Sequence, residues 1–153
     1  MGQNVIVAGA GISGLMAAIT AAKNGANVTV ISEGAGVLSI GSGAIDFLGY
    51  VNKKEVTGSP YDSLPYLPDN HPYNIIGKDN IKESFDEIIS IANDYGYYIN
   101  TTKTGENYHC ISILGTVKPT YICSESMDVS VLYNARKVLV LGIEYLKTVS
   151  RLF

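Results

Sequence analysis

The chain has no tryptophan, only two cysteines, and no charged side chain before Lys23. Cys110 and Cys123 show neither a CxxC spacing nor a histidine in a ligand-like pattern, which argues against a zinc site and a disulfide framework. The expectation is two reduced, structural thiols, and a cytoplasmic compartment follows as the default. Positive charge is also short: 11 Lys and Arg stand against 14 Asp and Glu, a net charge of −3. That sign and size exclude a phosphate-backbone partner, so no nucleic acid is expected. Walker sequences, nucleophile elbows and metal-ligand clusters are missing, so no metal is expected. The uncharged start is not read as a signal peptide, because it lacks a basic beginning. Nor is it read as a membrane span, because Gly9, Gly11 and Gly14 fall in its middle.

What is present is enough for a folded domain. At 153 residues, 46% hydrophobic and 16% charged, the chain can bury a core of its own. Asn4 to Ala8 is a short apolar, β-branched run expected to form a strand buried on both faces. Ser13 to Asn24 is rich in Leu, Met, Ala and Ile and predicts a helix stopped by Gly25. Asn27 to Ile31 repeats the strand pattern, so residues 4–31 spell strand, helix, strand with a right-handed crossover.

The rest is less regular. Residues 34–43 hold four glycines and predict a loop. Residues 52–72, with Pro60, Pro65, Pro68 and Pro72, predict an extended surface connection. Between Asp79 and Tyr95, Ile81, Phe85, Ile88, Ile89 and Ala92 recur at three- and four-residue steps, the mark of an amphipathic helix closed by Gly96. Runs at 97–102, 108–114 and 117–123 predict an antiparallel meander. Residues 137–141 read as a returning buried strand. The fold class expected is therefore α/β: a Rossmann-like FAD/NAD(P)-binding βαβ unit with an inserted antiparallel β meander, cut short at Phe153. The divisions expected are a dinucleotide-binding unit with its glycine loop at 1–48, a Pro-rich connection at 49–78, a helix with β insertion at 79–136, and the strand and chain end at 137–153.

The chemistry lies in Gly9-Ala10-Gly11-Ile12-Ser13-Gly14. A bare GxGxxG is a weak signal, but this one follows a strand and opens a helix. There the first glycine permits the tight turn, the second lets the backbone approach a pyrophosphate, and the third lets helix and strand pack closely. Amides at the helix start then face the phosphates. Glu33, at the end of the second strand and 19 positions past Gly14, is placed to accept hydrogen bonds from adenosine ribose hydroxyls. An acid there disfavours NADP, yet the fingerprint alone does not separate NAD from FAD. The competing reading is a plain strand-to-helix turn beside a solvated acid. Ser42 and Gly43, in Ser39 to Asp46, would let the chain approach a flat ring or the far phosphate, or else belong to a flexible surface loop. His71 and His109 are candidate proton donors, with packing in a strand as the alternative for His109. No catalytic residue is assigned.

Four segments together resemble a family. VAGAGISGL at 7–15, GSGAIDFL at 41–48, HPYNIIG at 71–77 and SILGTVKPTYIC at 112–123, with KVLVLGIE at 137–144, are similar to the B subunits of the anaerobic, quinone-linked glycerol-3-phosphate dehydrogenases. These are relatives of the fumarate reductase and succinate dehydrogenase flavoproteins. The resemblance implies a flavin-dependent oxidoreductase subunit that takes part in oxidising glycerol 3-phosphate to dihydroxyacetone phosphate, with electrons passed towards quinone. It implies a catalytic FAD-bearing partner subunit and an iron-sulfur subunit that anchors the complex at the inner face of the cell membrane. Gly9, Ala10, Gly11, Ile12, Ser13, Gly14, Ser32 and Glu33 would hold the cofactor, with Ser42 and Gly43 near the flavin. The B subunit is usually described with FMN; the acid at Glu33 favours FAD, with FMN as the alternative. Members are much longer, so an N-terminal fragment is expected. Two other readings stay open: a nucleotide-binding or assembly subunit without turnover, and an NAD-dependent fragment, which the irregular stretch at 49–123 disfavours.

Overall fold

A computed structural model describes residues 2–112 and 115–139, in two units that divide between Ala44 and Ile45. In the first, β1 (Asn4–Ala8) and β2 (Asn27–Ile31) pair in parallel from Asn4↔Asn27 to Ala8↔Ile31, and α1 (Ile12–Lys23) connects them. These are the sequence-predicted elements to within a residue. The helix ends as its glycine requires. Gly25 takes φ +83°, its N–H donates to the Ala22 carbonyl at 2.9 Å, and the Ala26 N–H donates to the Ala21 carbonyl at 3.1 Å, a pair of bonds that satisfies orphan carbonyls of the last turn. Burial differs from expectation. Ile6 is 69% exposed and Ile31 56%, because two strands and one helix cover little of the apolar surface that a wider parallel sheet buries. The glycine-rich loop after β2 contains a 3-10 turn at Val37–Ile40, with Val37 and Ile40 exposed.

The second unit begins with a hairpin that composition did not suggest: β3 (Tyr50–Val51) and β4 (Lys54–Glu55) pair antiparallel around Asn52 and Lys53. Both turn residues have positive φ, 50° and 66°, the conformation that matches a two-residue turn to strand twist. Pro60–Tyr66 forms a 3-10 helix, then α2 (Pro72–Ile76) and α3 (Lys78–Asp94) follow. The expectation of an extended surface connection over 52–72 is thus corrected. Pro60 starts a helix where a missing N–H costs nothing, and Leu64 is carried into the core.

That core gathers Phe47, Leu64, Ile81, Ile99, Tyr121 and Ile122, with the apolar side of α3 (Phe85, Ile88, Ile89, Ala92) packed on it as its periodicity predicts. Phe47 is its centre, with the rings of Tyr61, Tyr73, Phe85 and Tyr121 at centroid distances of 5.1, 5.0, 5.1 and 5.4 Å. The predicted meander shrinks to one ladder, β5 (Tyr108–Ile111) against β6 (Val117–Thr120), antiparallel from Tyr108↔Thr120 to Ile111↔Val117. Residues 97–102 form no strand. The helix end and Asn93 take the N–H groups of Tyr97 and Ile99, leaving only a bridge between Asn100 and Cys123. Beyond Thr120 the chain leaves β5, and Ile122 pairs with Ile45 instead. Of the expected strand at 137–141, residues 137–139 have no regular structure and the remainder lies outside the described residues, as do residues 113 and 114. Among the described residues no helix is long and apolar enough to cross a membrane.

Candidate functional site

The glycine turn of the first unit is built as its spacing requires. Gly9 leaves β1 with φ +110°, and its N–H donates to the Ile31 carbonyl at 2.8 Å, so the ends of β1 and β2 are fastened together at the turn. A side chain at Gly9 would be strained by that φ. At Gly14 the reason is space. A Cβ there would lie 2.1 Å from the Gly9 carbonyl oxygen, so the first turn of α1 sits directly on the end of β1. Gly11 is the N-cap, in extended conformation, and no atom lies within 4 Å of where its Cβ would point. The three glycines therefore perform three tasks: a positive φ, an open approach, and a close packing.

The helix start is electrostatically prepared for an anion. The first bond of α1 runs from the Leu15 N–H to the Gly11 carbonyl at 2.9 Å, so the amides of Ile12, Ser13 and Gly14 have no carbonyl of their own helix to donate to. Gly11 provides no side-chain cap and the first turn carries no acid. The aligned peptide dipoles thus present a partial positive charge of about half an electron beside the open face of Gly11.

Other predicted residues fall around this turn to different degrees. Ser32 and Glu33 follow directly after the Gly9–Ile31 bond, at the exposed end of β2. Ser32 turns inward on its own loop, its hydroxyl donating to the Gly34 carbonyl. Ser42 and Gly43 lie further along the loop, with Ser42 Oγ accepting the Ala44 N–H at 3.3 Å and Gly43 at φ +77°. One contributor was missed in sequence. Gly36, at φ +67°, comes so near the turn that its Cβ would stand 2.8 Å from the Ala10 carbonyl oxygen and 3.1 Å from the Gly11 Cα. The signal was there, since Gly36 is one of the loop glycines, but nothing in the sequence says which of them approaches.

The candidate proton donors belong to the second unit. His71 caps α2, its Nδ1 accepting the Tyr73 N–H at 3.2 Å, which accounts for its place before Pro72. His109 Nε2 lies 3.1 Å from Glu55 Oε1, a pairing across 54 residues that no local pattern announces. Asp46 is held by the Lys118 ammonium and by the buried Thr120 hydroxyl, the latter at 2.9 Å. Burial pushes up the pKa of the Tyr61 and Tyr108 hydroxyls and of the Cys123 thiol. Among the described residues no group of three or more His, Cys, Asp or Glu is placed to hold a metal ion.

The turn has an open face and helix-start amides that can receive an anion. The FAD binding domain model matches residues 4–152. The chain belongs to the FAD binding domain family. That membership decides the choice the fingerprint left open, in favour of FAD, and the helix-start amides, the open face of Gly11 and the exposed Glu33 fit it. A Halobacterium salinarum protein, named as the probable B subunit of an anaerobic glycerol-3-phosphate dehydrogenase, is 31% identical over 146 residues, which cover 94% of this chain and 33% of that protein. The anaerobic glycerol-3-phosphate dehydrogenase B subunit of Vibrio cholerae is 31% identical over 125 residues, 80% of this chain and 29% of that one. Its namesake from Actinobacillus pleuropneumoniae is 26% identical over 150 residues, 94% and 35% of the two chains. The chain spans about a third of the length of the curated relatives it matches. No solved structure matches it.

Proposed function

We propose that this chain is the dinucleotide-gripping portion of a flavin-dependent glycerol-3-phosphate dehydrogenase, of the kind its B-subunit relatives represent. The observation that carries the reading is the start of α1, where three amides with no carbonyl of their own helix to donate to open beside Gly11 in a chain of the FAD binding domain family. The amides of Ile12, Ser13 and Gly14 hold the diphosphate, Gly11 lets it approach, and Gly9 and Gly36 keep the surrounding backbone out of its way. The Glu33 carboxylate accepts the ribose hydroxyls of the adenosine half, with Ser32 shaping the bend that presents it. Ser42 and Gly43 lie toward the flavin half. A bound FAD would supply two-electron oxidation of an alcohol, and the relatives' names support glycerol 3-phosphate as that alcohol, with dihydroxyacetone phosphate as the product. The relatives, each named as one lettered subunit of a dehydrogenase, support an assembly with further subunits. On the family resemblance those would be an FAD-bearing catalytic partner and an iron-sulfur partner at the inner membrane face that passes electrons towards quinone.

The test is to titrate the purified chain with FAD, FMN and NADH, then add glycerol 3-phosphate with an artificial electron acceptor. Tight binding of FAD and bleaching of its visible band on adding substrate are expected. Bound flavin that stays oxidised would make the chain a nucleotide-binding or assembly element without turnover. Binding of NADH alone would overturn the flavin reading.

A further inference from the structure

In the interior of the second unit Cys110 and Cys123 face each other, their sulfur atoms 3.0 Å apart and joined by a thiol hydrogen bond, with no disulfide between them. They are 1% and 0% exposed. The backbone on each side is fixed independently. Cys110 lies in β5 opposite Lys118 and bridges to Asp128, while Cys123 exchanges two hydrogen bonds with Asn100, at 3.1 and 3.2 Å. The meeting of the sulfurs is therefore set by the fold. A disulfide needs a separation of about 2.05 Å, so closing the bond asks for about 1 Å of movement of the sulfurs. The chain has no third cysteine to compete.

We propose that Cys110 and Cys123 form an intramolecular dithiol site that low-molecular-weight disulfides oxidise. One cysteine loses its proton and attacks the small disulfide, whose S–S bond breaks to release one small thiol and leave a mixed disulfide on the protein. The second cysteine then loses its proton and displaces the second small thiol. In total the protein gives up two protons and two electrons, one S–S bond breaks and one forms. Because both sulfurs are buried, the oxidant reaches them only when the β5 region opens locally, and opening sets the rate. Burial also keeps the Cys123 thiol protonated well above the usual range, which slows the exchange further. The oxidised form ties β5 to the segment that carries Tyr121 and Ile122 into the core.

The experiment uses the purified full chain, freed of reductant and incubated with oxidised glutathione in increasing sub-denaturing urea. Samples are then unfolded, treated with iodoacetamide, and followed by intact mass and non-reducing peptide mapping. The expected result is a monomer lighter by two hydrogen atoms, with no alkylated cysteine, a linked Cys110–Cys123 peptide pair, and a rate that rises with urea. Two alkylatable thiols after prolonged exposure, a lasting glutathione adduct, or a disulfide-linked dimer would each overturn the proposal. In Cys123→Ala the reaction should stop at the glutathione adduct on Cys110. The wild-type peptide map decides the question by itself should that variant not fold.

Discussion

Gly14 and Gly9 touch in a way that permits no side chain: a Cβ on Gly14 would stand 2.1 Å from the Gly9 carbonyl oxygen. Ordinary carbon contacts need well over 3 Å, so Gly14→Ala must push the start of α1 away from β1 by about 1 Å. The expected outcome is destabilisation by about 1–3 kcal/mol, the usual range for overpacking, together with weakened FAD binding. Chemical denaturation and flavin fluorescence titration on the same samples measure both.

Gly11 provides the contrast. Its Cβ would meet nothing within 4 Å, and its extended backbone suits any residue. Gly11→Ala should therefore leave stability nearly unchanged while a methyl group enters the path of the diphosphate. A loss of FAD affinity of about tenfold, equivalent to 1.4 kcal/mol, is expected without a shift in Tm. Equal loss of both would show that Gly11 is structural.

Glu33 separates the two flavins. FMN has no adenosine ribose, so Glu33→Gln should weaken FAD by about tenfold or more, the worth of a hydrogen bond to a charged group, and leave FMN unaffected. Parallel titrations with FAD and FMN read the difference directly.

Phe47 anchors the second unit through four ring neighbours, and its truncation leaves a cavity they cannot fill. Phe47→Ala is expected to cost about 3–5 kcal/mol, seen as a lower denaturation midpoint.

Alkaline stability follows from three buried groups, Tyr61, Tyr108 and Cys123, all with raised pKa values. In each the protonated form belongs to the folded state, so its contribution is complete below the unfolded pKa and is lost as pH climbs towards the raised folded value. The unfolded thiol titrates near 8.5 and the phenols near 10, so stability should fall from about pH 8.5 upward. Each group steepens the fall by about 1.4 kcal/mol per pH unit while only its unfolded form ionises. Denaturation midpoints from pH 7 to 11 check this, and Cys123→Ala should delay the onset towards pH 10.

The part of the molecule legible in sequence is the part governed by local rules. β1, α1 and β2 follow from an apolar run, a helix-forming run and Gly25, and α3 follows from the spacing of Ile81, Phe85, Ile88 and Ala92. Contacts distant in sequence were not legible. Gly36 reaches Ala10, Asp46 finds Thr120, and Glu55 finds His109 only because the chain folds back, and no spacing encodes these meetings. The hairpin at 50–55 was hidden for another reason: Asn52-Lys53 lacks the glycine that usually signals such a turn. The strand expected at 97–102 failed because Tyr97 and Ile99 spend their amides on closing α3.

The central claim is that the amides of Ile12, Ser13 and Gly14 hold the FAD diphosphate. Titrating the isotopically labelled chain with FAD and following backbone amide resonances tests it residue by residue. The account predicts that those three amides shift together and saturate with the flavin fluorescence, while the amides of Ala21 and Ala22 at the far end of α1 stay in place. Saturation with FAD that leaves the three amides unmoved would contradict it.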